Sequence, residues 1–220
     1  MAYNDFSLDK AESALGVTLQ LVDLFTSLVA LPVPDWLGEA LTRGMELALV
    51  SEKARSEFIV GPILLASRQL SHNTFTIYSG QRLDVQPEMG LVGECDFILA
   101  ASPSFPILHS PLVTIVEAKK NDIEVGLGQC VAQMVGARVF NERAGNSFGP
   151  IFGCVTTGET WQFLRLDGTT AGIDRKRYYI DNIGLVLAAW QAVIAACCPG
   201  KRRLVGLECV VQTGHRNLNL

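Results

Sequence analysis

Histidines and paired cysteines, the usual ligands of a zinc site, are scarce in this sequence. The 220 residues include only three histidines, and none of the six cysteines stands in a CxxC pair. A zinc site is therefore not expected. The cysteines lie in apolar runs and are predicted to be buried, reduced thiols, which is typical of a cytosolic protein, so we expect a cytoplasmic location.

Charged residues are also few. They make up 18% of the chain against 49% hydrophobic residues, a composition that excludes a disordered or fibrous protein and favours one packed domain. The formal charge of −4 argues against a surface coated with positive charge for non-specific nucleic-acid binding. A local basic channel remains compatible with it, because patches rather than totals steer ligands.

No segment has the features of a secretory signal or a membrane span. The start, MAYNDFSLDKAES, is acidic and polar where a signal would be basic and then apolar. The most apolar stretch, 183–198, is short for a membrane span and contains Trp190 and Gln191. We therefore predict a buried helix there and no membrane association.

Apolar periodicity and turn residues predict alternating helical and extended regions. The predicted helices are 9–28, 35–49, 51–64 with a kink at Gly61-Pro62, 126–141, and a last one that Asp181 caps and Pro199-Gly200 ends. The predicted strands are 74–78 and 83–85 around a turn at Ser79-Gly80, 91–101, 112–118, a hairpin of 151–156 with 161–166, and an edge strand at 204–212. This order predicts a mixed α/β (α+β) fold.

Three charged side chains stand in or at the end of the apolar strands. Asp96 lies among apolar neighbours, and Glu117 and Lys119, two residues apart, point to the same face of another strand. Buried carboxylates are costly unless their charge is compensated. A divalent cation with hard oxygen ligands, Mg²⁺ or Mn²⁺, would compensate two that converge, and the carbonyl of Ala118 would add an oxygen ligand. Lys119 would then orient or deprotonate a water that attacks phosphorus.

The segments GECDFI (93–98) and IVEAKK (115–120) resemble the motif of the PD-(D/E)xK, or restriction-endonuclease-like, superfamily. The resemblance covers about residues 50–170. Its first acid corresponds to Asp96 and its E-x-K to Glu117-Ala118-Lys119, while Cys95 stands where the name-giving pattern has proline. It implies a restriction-endonuclease-like core with a mixed central sheet flanked by helices. The single domain 1–220 would then comprise N-terminal helices (1–50), a nuclease-like core (51–170), and a C-terminal helix and tail (171–220).

The resemblance also implies further site residues. Many members carry a metal-binding glutamate on the helix before the strands, which here suggests Glu52, with Glu57 as the nearby alternative. Some relatives carry a glutamine on the helix after E-x-K, which suggests Gln129, with Gln133 one turn on. Asp96, Glu117, the Ala118 carbonyl and Glu52 would hold Mg²⁺ or Mn²⁺. Asp96, Glu117, Lys119 and Gln129 would form the catalytic set.

The function expected from the resemblance is a Mg²⁺-dependent endo- or exonuclease that hydrolyses DNA phosphodiester bonds, and a homodimer through the apolar C-terminal helix is one expected assembly. The alternative is a catalytically inactive relative that acts in nucleic-acid binding or regulation. A metal-dependent phosphoesterase on small molecules is less favoured, because no phosphate-cradling glycine-rich loop is present.

Each of these residues also has a purely structural interpretation. Glu117 and Lys119 would belong to a strand end that emerges into solvent, and Asp96 would be a buried acid satisfied by backbone amides or an arginine. The glutamates and glutamines would be ordinary helix positions, with Arg55 paired to a neighbour on its own helix. The basic clusters 175–177 and 201–203 are predicted to be solvated.

Overall fold

The strands of the protein assemble into one mixed sheet with helices on both faces. The structure, a computed structural model, describes residues 1–48, 50–119, 122–146 and 149–197. The helices are α1 (Leu8–Leu15), α2 (Asp35–Ala48), α3 (Glu52–Arg55), α4 (Gly61–Leu70), α5 (Ile123–Arg143) and α6 (Ile183–Cys197). The strands are β1 (Thr18–Val22), β2 (Thr76–Arg82), β3 (Glu94–Ala100), β4 (Leu112–Ala118), β5 (Ile151–Thr156), β6 (Thr160–Asp167), β7 (Thr170–Asp174) and β8 (Tyr178–Tyr179).

The order of the strands across the sheet is β1-β7-β6-β5-β4-β3-β2, and β8 pairs with β6. The pairs β1–β7 and β4–β5 are parallel, and the others are antiparallel. One apolar cluster packs α1 and α5 against one face of the sheet, and a second packs α2, α4 and α6 against the other. β4 lies at the centre and is buried along its whole length, as the apolar run 112–118 predicts.

The first predicted helix is wrong beyond its first two turns. α1 ends at Gly16, whose φ of 63° is left-handed and closes the helix. The chain then continues as β1, which pairs in parallel with β7. Apolar residues at 15, 19 and 22 fit a helical spacing, but the sheet edge supplied by β7 decides the outcome. The N-terminal segment, predicted to be helical, therefore contributes a strand to the central sheet.

The kink predicted at Gly61-Pro62 is confirmed as a change of helical type. A π-helical turn, Ser56–Val60, joins α3 to α4, and Pro62 lies in the first turn of α4. Proline has no N–H to donate, so the hydrogen-bonding pattern changes where it enters the helix. α3, the π turn and α4 thus form one interrupted helical segment in front of the strands.

Two details of the predicted strands are corrected. Ser79 and Gly80 do not end a strand, because Gly80, with a φ of 62°, lies within β2, which continues to Arg82. The predicted strand 83–85 is wrong, since these residues follow β2 and belong to no strand. β7 and β8 were not predicted from the sequence, because both are short and contain few apolar residues. The predicted edge strand 204–212, the end of the last helix at Pro199-Gly200, and the cluster 201–203 lie outside the described residues.

The C-terminal helix α6 is a core element. Within the described residues, Ile180–Cys197 is long and apolar enough to cross a membrane, but 56% of it is buried inside the protein. Trp190 in this helix makes an edge-to-face contact with Trp161 of β6 at a centroid distance of 6.2 Å. This packing agrees with the buried helix expected from the sequence.

Candidate active site

Asp96 and Glu117 face each other across the antiparallel pair β3–β4. The register joins Phe97 to Val116, which places Asp96 opposite Glu117. Oδ2 of Asp96 accepts a hydrogen bond of 2.7 Å from the backbone N–H of Ala118, so the carboxylate crosses to the end of β4. Asp96 is half-buried. The structure thus brings together the two acids that the sequence places 21 residues apart.

Glu117 is the most enclosed member of the site. It is only 3% exposed. Its Oε1 accepts a hydrogen bond of 2.8 Å from Nζ of Lys119, and its Oε2 accepts one of 2.8 Å from Nε2 of Gln133. Both oxygens of this buried carboxylate are therefore satisfied by side chains.

Lys119 connects the strand end to helix α5. Besides its ion pair with Glu117, its Nζ donates to Oε1 of Gln129 at 2.9 Å. Gly126 makes room for it, because a Cβ there would lie 3.1 Å from Cγ of Lys119 and 2.6 Å from Cγ1 of Val155. The alternative interpretation of a strand end that emerges into solvent is therefore wrong for these residues, because the side chain of Lys119 is only 17% exposed.

Burial and mutual repulsion raise the pKa values of the two acids of the site. Burial, followed by the charge of Asp96, raises the pKa of Glu117 from 4.5 to about 7, although Lys119 and Gln133 oppose the shift. Burial also raises the pKa of Asp96, and the N–H of Ala118 offsets this in part. For Lys119, burial lowers the pKa but the nearby carboxylates raise it by more, so the net pKa is raised and the ammonium stays charged.

Helix α3 brings Glu52 to the same region. Ser51 caps this helix by accepting a hydrogen bond of 3.0 Å from Ala54 N–H, and Glu52 begins it. The charge of Glu52 raises the pKa of both Asp96 and Lys119, so it acts on both sides of the site. Glu57 lies on the π turn, exposed and 3.9 Å from Nζ of Lys53. Of the two glutamates, Glu52 is therefore the one whose charge acts on the groups of the site.

The oxygen donors are suited to a magnesium site completed by water. In the described part of the chain, no three His, Cys, Asp or Glu side chains lie close enough to hold a metal ion by themselves. Mg²⁺ does not need such a cage, because it keeps several waters and binds through one or two carboxylates. Asp96 and Glu117 offer two. Burial and then their mutual repulsion raise the pKa of Glu117, and a cation would relieve the repulsion. The donor set therefore fits Mg²⁺ or Mn²⁺.

Helix α5 supplies two glutamines where the sequence left a choice between them. Gln129 bonds Lys119 and Gln133 bonds Glu117. They are four residues apart and lie one above the other on the helix face that covers β4. The spacing alone could have suggested that both face the site, and the structure uses both. Oε1 of Gln133 is buried and has no hydrogen-bond partner.

Arg55 has a role that its sequence context did not reveal. The expected partner was a neighbour on the same helix. Instead, Nη1 donates 2.8 Å to the carbonyl of Thr157 and lies 3.3 Å from Oε1 of Glu159. The link joins α3 to the turn between β5 and β6, next to the site. A contact over about one hundred residues leaves no local signal in the sequence.

Two further groups of side chains that the sequence singled out are the thiols and the basic cluster 175–177. Cys95, Cys130 and Cys154 are buried free thiols, as predicted, whereas Cys197 is only partly buried, and Cys198 and Cys209 lie outside the described residues. In the basic cluster 175–177, Arg175 lies 3.2 Å from Oδ2 of Asp23, and Arg177 is paired with Glu124.

Comparison with known proteins leaves the lineage of the chain open. No protein-family model matches the sequence, and no curated protein is significantly similar to it.

Proposed function

We propose that this protein is a Mg²⁺-dependent nuclease that hydrolyses DNA phosphodiester bonds with a PD-(D/E)xK-type site. The observation that carries the proposal is the convergence of Asp96, Glu117 and Lys119 at the adjoining ends of two central strands. The order of elements supports it. The α3–α4 helical segment precedes the antiparallel strands β2, β3 and β4, and α5 leads to β5, parallel to β4. This is the arrangement expected of a restriction-endonuclease-like core.

Each side chain of the site has its own role in the proposed reaction. Asp96, Glu117 and the carbonyl of Ala118 would hold the cation, with Glu52 close enough to add charge. When bound, the metal would supply an acidified water and stabilise negative charge on phosphate oxygens. Lys119 stays protonated because its pKa is raised, so it would orient water and stabilise charge rather than remove a proton. Gln129 positions the ammonium by accepting its hydrogen bond at 2.9 Å.

Two substitutions test the proposal. Asp96→Asn keeps an oxygen for the Ala118 N–H but removes the charge, and is expected to abolish Mg²⁺ and Mn²⁺ binding in calorimetry. Lys119→Met is expected to keep metal binding and to lower cleavage by about 10²-fold or more, as removal of one charge-stabilising group does. Asp167→Asn, at an exposed carboxylate that pairs with Arg165, is the matched control. If the wild type binds neither metal and cleaves no form of DNA or RNA, the proposal is wrong.

A non-catalytic nucleic-acid-binding or regulatory protein is the second candidate. It is favoured by Glu117, whose two oxygens are already engaged by Lys119 and Gln133. In that case Lys119→Ala would leave nucleic-acid binding intact, and the wild type would bind without turnover at any Mn²⁺ concentration.

A further inference from the structure

A second cluster of charged side chains lines a groove beside the candidate active site. The groove, a cavity of about 260 Å³, lies among Arg55, Ile123, Glu124, Thr157, Glu159 and Arg177. Thr157 follows Thr156, whose carbonyl accepts from the N–H of Lys119 at 2.7 Å. The groove therefore opens at the carboxyl ends of the parallel strands β4 and β5, where α/β sheets commonly bind ligands.

Arg55 is held in this groove by hydrogen bonds to the protein, but not all of its N–H groups have a partner. Its side chain is 11% exposed, and its Nη1 is fixed by the carbonyl of Thr157 and by Glu159. Its buried Nε has no hydrogen-bond partner. Burial of a guanidinium N–H without a partner is costly, so the two partners of Arg55 do not satisfy its whole guanidinium.

Arg177 reaches the same groove from the segment after β7. Its side chain is 36% exposed and pairs with Glu124, which is 60% exposed. Glu159, the partner of Arg55, is 51% exposed. Exposed carboxylates hold their partners weakly, because each ion pair in water contributes little. A phosphodiester group, whose two non-bridging oxygens accept bidentate hydrogen bonds from a guanidinium, can replace them.

We propose that Arg55 and Arg177 bind a backbone phosphate of a nucleic acid strand next to the phosphate under attack. Glu124 and Glu159 hold the two guanidiniums until the strand enters. The inference rests on the proposed function, since it takes the neighbouring site to act on a phosphodiester chain. It identifies the substrate as a polymer that extends past the scissile bond.

The test is the affinity for a fluorescein-labelled 20-nucleotide single strand, and for its duplex, by anisotropy in EDTA. Without metal there is no cleavage, and only protein contacts contribute. Arg177→Gln is expected to weaken binding of at least one of the two about tenfold or more, as lost charge-assisted hydrogen bonds do. The slope of log K against log salt should become shallower by about 0.7 on the single strand. Arg55→Gln should do the same.

Substitution of the glutamates is expected to change the affinity for the probes in the opposite direction. Glu124→Gln and Glu159→Gln are expected to tighten binding, because each removes a competitor for a guanidinium. A purely structural role for these ion pairs would not produce this result. Arg175→Gln is the matched control: it removes an equal charge two residues from Arg177, but its partner is Asp23.

The outcomes separate this inference from the proposed function. If the wild type binds neither probe, or if Arg55→Gln and Arg177→Gln bind like Arg175→Gln, the inference is overturned, whether or not the protein cleaves DNA. If binding depends on both arginines but Mg²⁺ produces no cleavage, the nuclease proposal fails and the phosphate site stands. If Arg55→Gln lowers the melting temperature strongly, the inference is tested with Arg177→Gln and the two glutamate variants instead.

Discussion

Replacement of Glu117 by glutamine is expected to change how the stability of the protein depends on pH. Glu117 is 3% exposed, and burial raises its pKa from 4.5 to about 7. The folded state therefore holds this proton more tightly than the unfolded state does. The contribution to stability is fully present below about pH 4.5 and is lost as the pH rises through about 7.

The size of the effect follows from the shift. One pKa unit corresponds to about 1.4 kcal/mol, so the shift is worth about 3.4 kcal/mol in all, of which the wild type should lose about 2.5 kcal/mol of unfolding free energy between pH 5 and 8. Glu117→Gln cannot titrate, and its introduced amide fits the site. Its oxygen can accept from Lys119, and its N–H group can donate to the Oε1 of Gln133 once the amide of Gln133 rotates by 180°, since at present Nε2 of Gln133 faces Glu117 and Oε1 has no partner.

The assay is urea denaturation of both proteins in EDTA at pH 5, 6, 7 and 8. Relative to the wild type, the variant should become more stable by about 2.5 kcal/mol across this range. The raised pKa of Asp96 affects both proteins in the same direction and largely cancels in the difference. Parallel stability curves for the two proteins would refute the reasoning, because they would mean that Glu117 does not titrate in this range.

Three further predictions concern the metal and the packing around α5. Mg²⁺ affinity should rise between pH 6 and 8, because the proton and the cation compete for Glu117. An affinity that calorimetry finds to be independent of pH would contradict this. Asn141→Ala should cost about 2–4 kcal/mol in urea denaturation, since this side chain bonds both the N–H and the carbonyl of Leu112 at 2.7 Å. Gly128→Ala should destabilise by about 1–3 kcal/mol, because its Cβ would lie 2.3 Å from the backbone before α1. The control Gly38→Ala, in the open interior of α2, should stabilise by about 0.5–1 kcal/mol, and equal effects of the two would contradict the close approach.

The elements that could be predicted are those that depend on residues close together in the sequence. The strand 112–118 is confirmed to the residue as β4, because an unbroken apolar run has one stable placement, the centre of a covered sheet. The hairpin of β5 and β6 is confirmed for a similar reason, since its turn residues lie between two β-prone runs. β1 was missed because its residues fit a helix equally well by spacing.

The composition of the candidate site divides in the same way. The spacing of Glu117 and Lys119 alone predicts that their side chains share a face, and they lie 2.8 Å apart. Period-two geometry of a strand suffices for that prediction. The restriction-endonuclease-like assignment stays a prediction that the metal and cleavage experiments test.

The sequence by itself determined the central strand, the covering helix α5 and the E-x-K pair, because each depends on neighbours within a few residues. Only the tertiary structure decided that Asp96 bonds Ala118, that Gln133 joins Gln129 in the site, and that Arg55 reaches Thr157. These contacts depend on strand register and on how helices dock on the sheet. Both are set by the packing of the whole core, which no local pattern records.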